Sequence, residues 1–161
     1  MFDYFLYSTM KKINLIVLFI AFNYFLNAQS DLFWQVKKIV KENHPEINLE
    51  NKLISINFWS VSNLESRESN KQFNKAFNTY EFAKLKGGLK GLVCVSVNNE
   101  SEAAITIMNK DGASKLILLT NTKIMNTNNV SNFVFDSNGN KVYENIPSAK
   151  IVESINKLII R

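Results

Sequence analysis

Apolar residues recur along this chain with two alternating periods. Between 31 and 43, Leu32, Phe33, Val36, Ile39 and Val40 fall on a helical spacing. Asp31 is placed to cap that helix and Pro45 closes the segment. Residues 46–51 read as a loop. Residues 52–59 switch to period two, with Ile54, Ile56 and Phe58 on one face and Leu53 and Trp59 on the other. Apolar residues on both faces predict a strand covered on both sides, as in a central parallel sheet.

The period then returns to helical. Phe73, Ala76, Phe77, Tyr80 and Ala83 make one stripe on a helix expected over 63–85, with Gly87-Gly88 ending it. Ser62 precedes Glu65 by three, the capping-box spacing, so Ser62 is the expected N-cap. Leu92 to Val97 is a second buried-strand signature. Asn98-Asn99 can open a shorter helix carrying Ala103, Ala104, Ile107 and Met108, ending at Asp111-Gly112. Lys115 to Thr120 is a third strand candidate, and residues 121–131 read as loop. Phe133-Val134-Phe135 and Lys141-Val142-Tyr143 flank a turn at 136–140 and predict a hairpin. Pro147-Ser148 opens a last helix with Ile151, Val152, Ile155, Leu158 and Ile159 inward.

Strands alternating with helices require right-handed crossovers and helices on both sheet faces. The expected class is α/β: a central mixed sheet, helices on both faces, and a C-terminal hairpin plus helix. Residues 30–49 are set apart as an N-terminal helical segment, and residues 50–161 form the domain.

The N-terminus has its own logic. Lys11-Lys12 precede an apolar run over 13–26, and Asn27-Ala28-Gln29-Ser30 follow. A basic region, an apolar core and a small residue are the parts of a secretory signal, with cleavage expected after Ala28 or Gln29. The rival is a permanent anchor, but the run is shorter than the ~20 residues a span needs. Residues 1–29 are therefore read as a signal peptide, with Met10 an alternative start. The expected location is the periplasm or cell envelope, with no integral span after cleavage.

Composition removes several function classes. The formal charge of +5 comes from lysines spread along the chain, without a basic run. That pattern fits a solvated surface and not a nucleic-acid patch. Cys94 is the single cysteine and His44 the single histidine. One of each cannot build a Cys/His metal site, and no intramolecular disulfide can form. No metal and no cofactor is expected. His44 reads as an exposed residue at a helix end, and Cys94 as a small buried residue in a central strand.

Residues 50–160 resemble exported thioredoxin-like proteins of the TlpA type. Asn57-Phe58-Trp59 matches their Asn-Phe-Trp, and Arg67 the Arg after their second cysteine. Leu92 to Asn98 matches their central strand, and Phe133 to Asp136 their Phe-Leu-Ile-Asp. The resemblance places the family's two cysteines at Asn63 and Ser66, and its cis-proline at Val130. A cis bond without proline costs about 3 kcal/mol, so a trans bond is expected there. Thiol exchange needs a thiolate at the helix N-terminus, which Asn63 cannot supply. Ser66 would need an adjacent base, and neighbouring Glu65 does not face it on a helix.

No catalytic residue is therefore expected. The resemblance implies a non-catalytic binding or accessory module of the envelope that holds a protein or peptide. Its binding edge would comprise Trp59, Val61, Ser62, Asn63, Leu64, Ser66, Val130 and Ser131. Trp59 and Val130 fit ordinary core positions equally well. The alternative is an oxidoreductase-like or peroxidase-like enzyme acting through Cys94.

Overall fold

The computed structural model describes residues 31–120, 122, 124 and 131–160. The segment read as a signal, residues 1–29, and Val130 lie outside the described residues. In chain order the elements are α1 (31–43), β1 (Leu53–Phe58), α2 (Leu64–Tyr80), a 3-10 turn (Lys86–Gly88), β2 (Leu92–Asn98) and α3 (Ser101–Lys110). Then come β3 (Ile117–Thr120), β4 (Ser131–Phe135), β5 (Lys141–Glu144), a second 3-10 turn (Ser148–Lys150) and α4 (Ile151–Asn156).

The five strands form one mixed sheet in the order β3-β2-β1-β4-β5. β1, β2 and β3 are parallel, while β4 runs against β1 and β5 against β4. From β1 to β2 to β3 the chain steps in one direction. Right-handed crossovers then put α2 and α3 on the same face. Phe73 and Ala76 of α2, Ala104 and Met108 of α3, and Ile151 and Ile155 of α4 share one core there with Leu53, Leu92, Cys94 and Val134. α1 covers the opposite face. Its Phe33, Val36 and Val40 pack on Ile54, Ile56, Val93 and Val95. Alternation along each strand supplies both cores, which is why β1 and β2 are buried on both sides.

Two glycines hold this packing. Gly139 sits in the β4–β5 turn at φ +82°, and a Cβ there would come 2.9 Å from the Phe33 ring. Gly91 enters β2 at φ +100°, where a Cβ would lie 1.9 Å from the Glu81 carbonyl oxygen. Both positions need glycine for conformation and for space.

Three boundaries differ from expectation. α2 stops at Tyr80 instead of 85, because Leu85 is drawn into the core as a bridge partner of Ile159 while Lys84 bridges Lys90. β3 begins at Ile117, two residues late. β4 begins at Ser131, the last residue of the expected loop, because Ser131 already pairs with Phe58. His44 is half-buried and its Nδ1 lies 3.5 Å from Glu46.

Candidate functional site at the start of α2

β1 delivers the chain to Trp59, whose N–H donates to the Val97 carbonyl and whose carbonyl accepts from Asn98 Nδ2. The chain turns over 60–63, closed by Asn63 N–H to the Ser60 carbonyl at 3.1 Å. Asn63 is the N-cap of α2. Its backbone is extended and its Oδ1 accepts the Ser66 N–H at 2.8 Å. This corrects the expected capping box. Ser62 instead pairs its hydroxyl with that of Ser60. Glu65 accepts the Ser148 N–H at 2.9 Å and so ties the start of α2 to the turn before α4. The amide oxygen of Asn63 satisfies the orphan donor from one residue later, leaving Glu65 for the long-range contact.

Ser66 is buried. Its hydroxyl donates to the Asn63 carbonyl at 3.0 Å and accepts the Ser60 N–H at 3.3 Å. Both functions of the hydroxyl are committed, and its partners are backbone groups and not a base. Beneath it lies a polar layer that the sequence reading missed. Asn57 Nδ2 donates to the Ser66 carbonyl and to Asn70 Oδ1, at 3.1 and 2.8 Å. Ser96 Oγ donates to the same Asn70 oxygen at 3.0 Å. The available signal was two polar residues, Asn57 and Ser96, at inward positions of apolar strands.

Arg67 forms a forked ion pair with Asp111. Nε meets Oδ2 at 2.8 Å and Nη2 meets Oδ1 at 2.7 Å. The hydrogen-bonded guanidinium holds the Asp111 carboxyl below its ordinary range, and the carboxylate raises Arg67 in turn. Asn74 adds a bond to the Gly112 carbonyl and accepts the Lys115 N–H. Arg67 thereby clamps α2 to the end of α3.

Cys94 is 2% exposed. Its thiol donates to the Phe73 carbonyl at 3.6 Å. Burial pushes its pKa up to about 12, against a smaller opposing pull from Ser55. Phe73 lies ten residues past Asn63, roughly 15 Å along the helix. Cys94 is thus neither ionised nor at the helix start.

The candidate edge divides in two. Trp59, 5% exposed, belongs to the core, and so does Ser66. Val61 is half-buried against that core. Ser62, Asn63 and Leu64 face outward, with Leu64 75% exposed. Ser131 opposes Phe58 in the register, which brings the start of β4 to the same end of the sheet. Among the described residues no group of three or more His, Cys, Asp or Glu is placed to hold a metal.

No family model matches the sequence, and neither does any curated protein. Solved structures do match. A thiol:disulfide interchange protein from Bacteroides sp. superposes with a TM-score of 0.57 at 13% identity, over 69% of this chain and 75% of that one. The thioredoxin domain of a thiol-disulfide oxidoreductase from Bacteroides vulgatus gives 0.56 at 13%, over 70% and 82%. A thiol-disulfide oxidoreductase from Bacteroides fragilis gives 0.50 at 15%, over 67% and 81%. The fold is thioredoxin-like. At these identities the likeness concerns the fold, and the chemistry must be argued from the site. In this thioredoxin-like chain the site offers a mutually bonded asparagine and serine.

Proposed function

We propose that this thioredoxin-like chain is a non-catalytic, exported binding module that engages an envelope protein or peptide at the start of α2. The observation that carries the reading is the Asn63–Ser66 pair. Each side chain bonds the other residue's backbone and closes the helix end, so both are engaged in structure and the Ser66 hydroxyl has no base beside it. The buried, protonated Cys94 supports the same reading against chemistry through the remaining thiol. Export rests on the apolar segment after Lys11-Lys12. Among the described residues no helix is long and apolar enough to cross a membrane.

The surface that this reading invokes centres on Leu64. A leucine left 75% exposed in the first turn of a helix contributes nothing to this chain's own core. The test is affinity capture from envelope extract with the wild type and Leu64→Glu. Loss of a captured partner at unchanged melting temperature supports the edge as the binding surface. Undiminished capture would place the partner elsewhere and defeat this part of the reading.

A further inference from the structure

A second feature lies at the opposite end of the sheet. β2 is a central strand, yet β3 covers only part of it: the register runs from Val95–Ile117 to Asn98–Thr120. The first half of β2, Leu92 to Cys94, has no paired strand on that side among the described residues. The direction of its backbone groups follows from two end bonds. Leu53 N–H donates to the Gly91 carbonyl, and Trp59 N–H donates to the Val97 carbonyl. The odd residues of β2 therefore turn their backbone groups toward β1, and the even residues turn theirs the other way. Ile117, opposite Val95, reaches the Cys94 carbonyl and the Ser96 N–H. The Leu92 N–H, the Leu92 carbonyl and the Cys94 N–H have no backbone partner among the described residues.

These leftover groups belong to residues that are 1–2% exposed. Buried backbone donors without a partner are rare, because each costs the desolvation of a lost hydrogen bond. They face a cleft of about 360 Å³ lined by Leu92, Val93 and Cys94. Ile47 forms one wall, Phe77 and Phe82 the other, and Ile117 closes the end in line with β3. Phe82 is 82% exposed, the most exposed of the large apolar side chains described. Lys52 and Lys115 line the rim, as do Glu46 and Glu81.

The geometry points to a strand-addition site: the cleft beside Leu92–Cys94 takes a short, extended, apolar peptide segment of a partner protein, seated in line with β3. Two N–H groups and one carbonyl at alternate-residue spacing match the edge of an extended main chain. Three such residues span about 10 Å. Apolar walls on both sides accept side chains that alternate above and below the sheet. The mixed rim charges admit either sign at the segment's ends. This site is independent of the reading at the start of α2 and would stand if that reading failed.

The test uses backbone amide hydrogen exchange on the full chain, followed by NMR. The probes are acetyl-Glu-Val-Ile-Val-Lys-amide and acetyl-Lys-Val-Ile-Val-Glu-amide. Each is paired with an analogue N-methylated at both valines and the isoleucine. Addition of at least one parent peptide should slow the Leu92 and Cys94 amides about tenfold or more. The N-methylated analogues should leave them unchanged. Phe82→Glu, at an exposed position, should remove the protection while the melting temperature holds. The proposal is overturned if neither peptide slows these amides. It is also overturned if the analogues do so equally, or if both amides are already protected in the free chain.

Discussion

The Ser66 N–H donates to Asn63 Oδ1 at 2.8 Å, and the Ser66 hydroxyl donates back to the Asn63 carbonyl at 3.0 Å. The reciprocal bonds make the pair a helix cap. Asn63→Ala should lower stability by about 0.5–2 kcal/mol, the usual cost of a lost side-chain cap. Ser62→Ala should be close to neutral. Urea denaturation of both variants checks the assignment. An opposite ranking would return the cap to Ser62.

The polar layer under α2 yields a second prediction. Asn70 Oδ1 accepts from both Asn57 and Ser96. Asn70→Ala leaves the buried Ser96 hydroxyl without its acceptor and Asn57 Nδ2 with only the Ser66 carbonyl, and should cost about 1–3 kcal/mol. Asn70→Asp keeps the oxygen acceptor and should lose less near neutral pH than the alanine variant. Denaturation midpoints for the two variants decide the matter.

Asp111 gives a prediction in pH. Its carboxyl is held below the ordinary range by the Arg67 guanidinium. A depressed carboxyl contributes stability that is present above its unfolded pKa and lost as pH falls through its folded pKa. Asp111→Asn should therefore be less stable than wild type at neutral pH, and the gap should close in acid. Parallel melting curves across that range would reveal it. A constant gap would mean that the ion pair does not titrate with folding.

Cys94 behaves in the reverse sense. A thiol raised to about 12 in the folded chain favours the native state while protonated. That contribution is fully present below the unfolded thiol pKa and declines as pH rises from there toward 12. The difference in stability between wild type and Cys94→Ala should shrink through that window. The native thiol should also resist a chromogenic disulfide reagent until denaturant is added. Rapid stoichiometric labelling of the native chain would restore a redox role for Cys94.

Much of the fold was legible in the pattern. Apolar residues on both faces marked β1 and β2, because those faces meet two separate apolar layers. Leu53 and Ile54 show this, one inward to each layer. Boundaries were less legible where a tertiary contact outweighed local propensity. Leu85 leaves the helix because a bridge to Ile159 buries it fully. The site was legible as an outline only. Asn57-Phe58-Trp59 and Arg67 located it, but Ser62 and Asn63 are both good caps, and only the turn geometry chooses between them. The partner of Arg67 lies 44 residues away at Asp111, a pairing that no local period encodes.

We propose that this thioredoxin-like chain carries no thiol-exchange chemistry. Insulin reduction with dithiothreitol as electron source tests it most directly. The account predicts turbidity onset at the rate of the uncatalysed control, identical for wild type and Cys94→Ala. A faster rate in the wild type, abolished by Cys94→Ala, would contradict it.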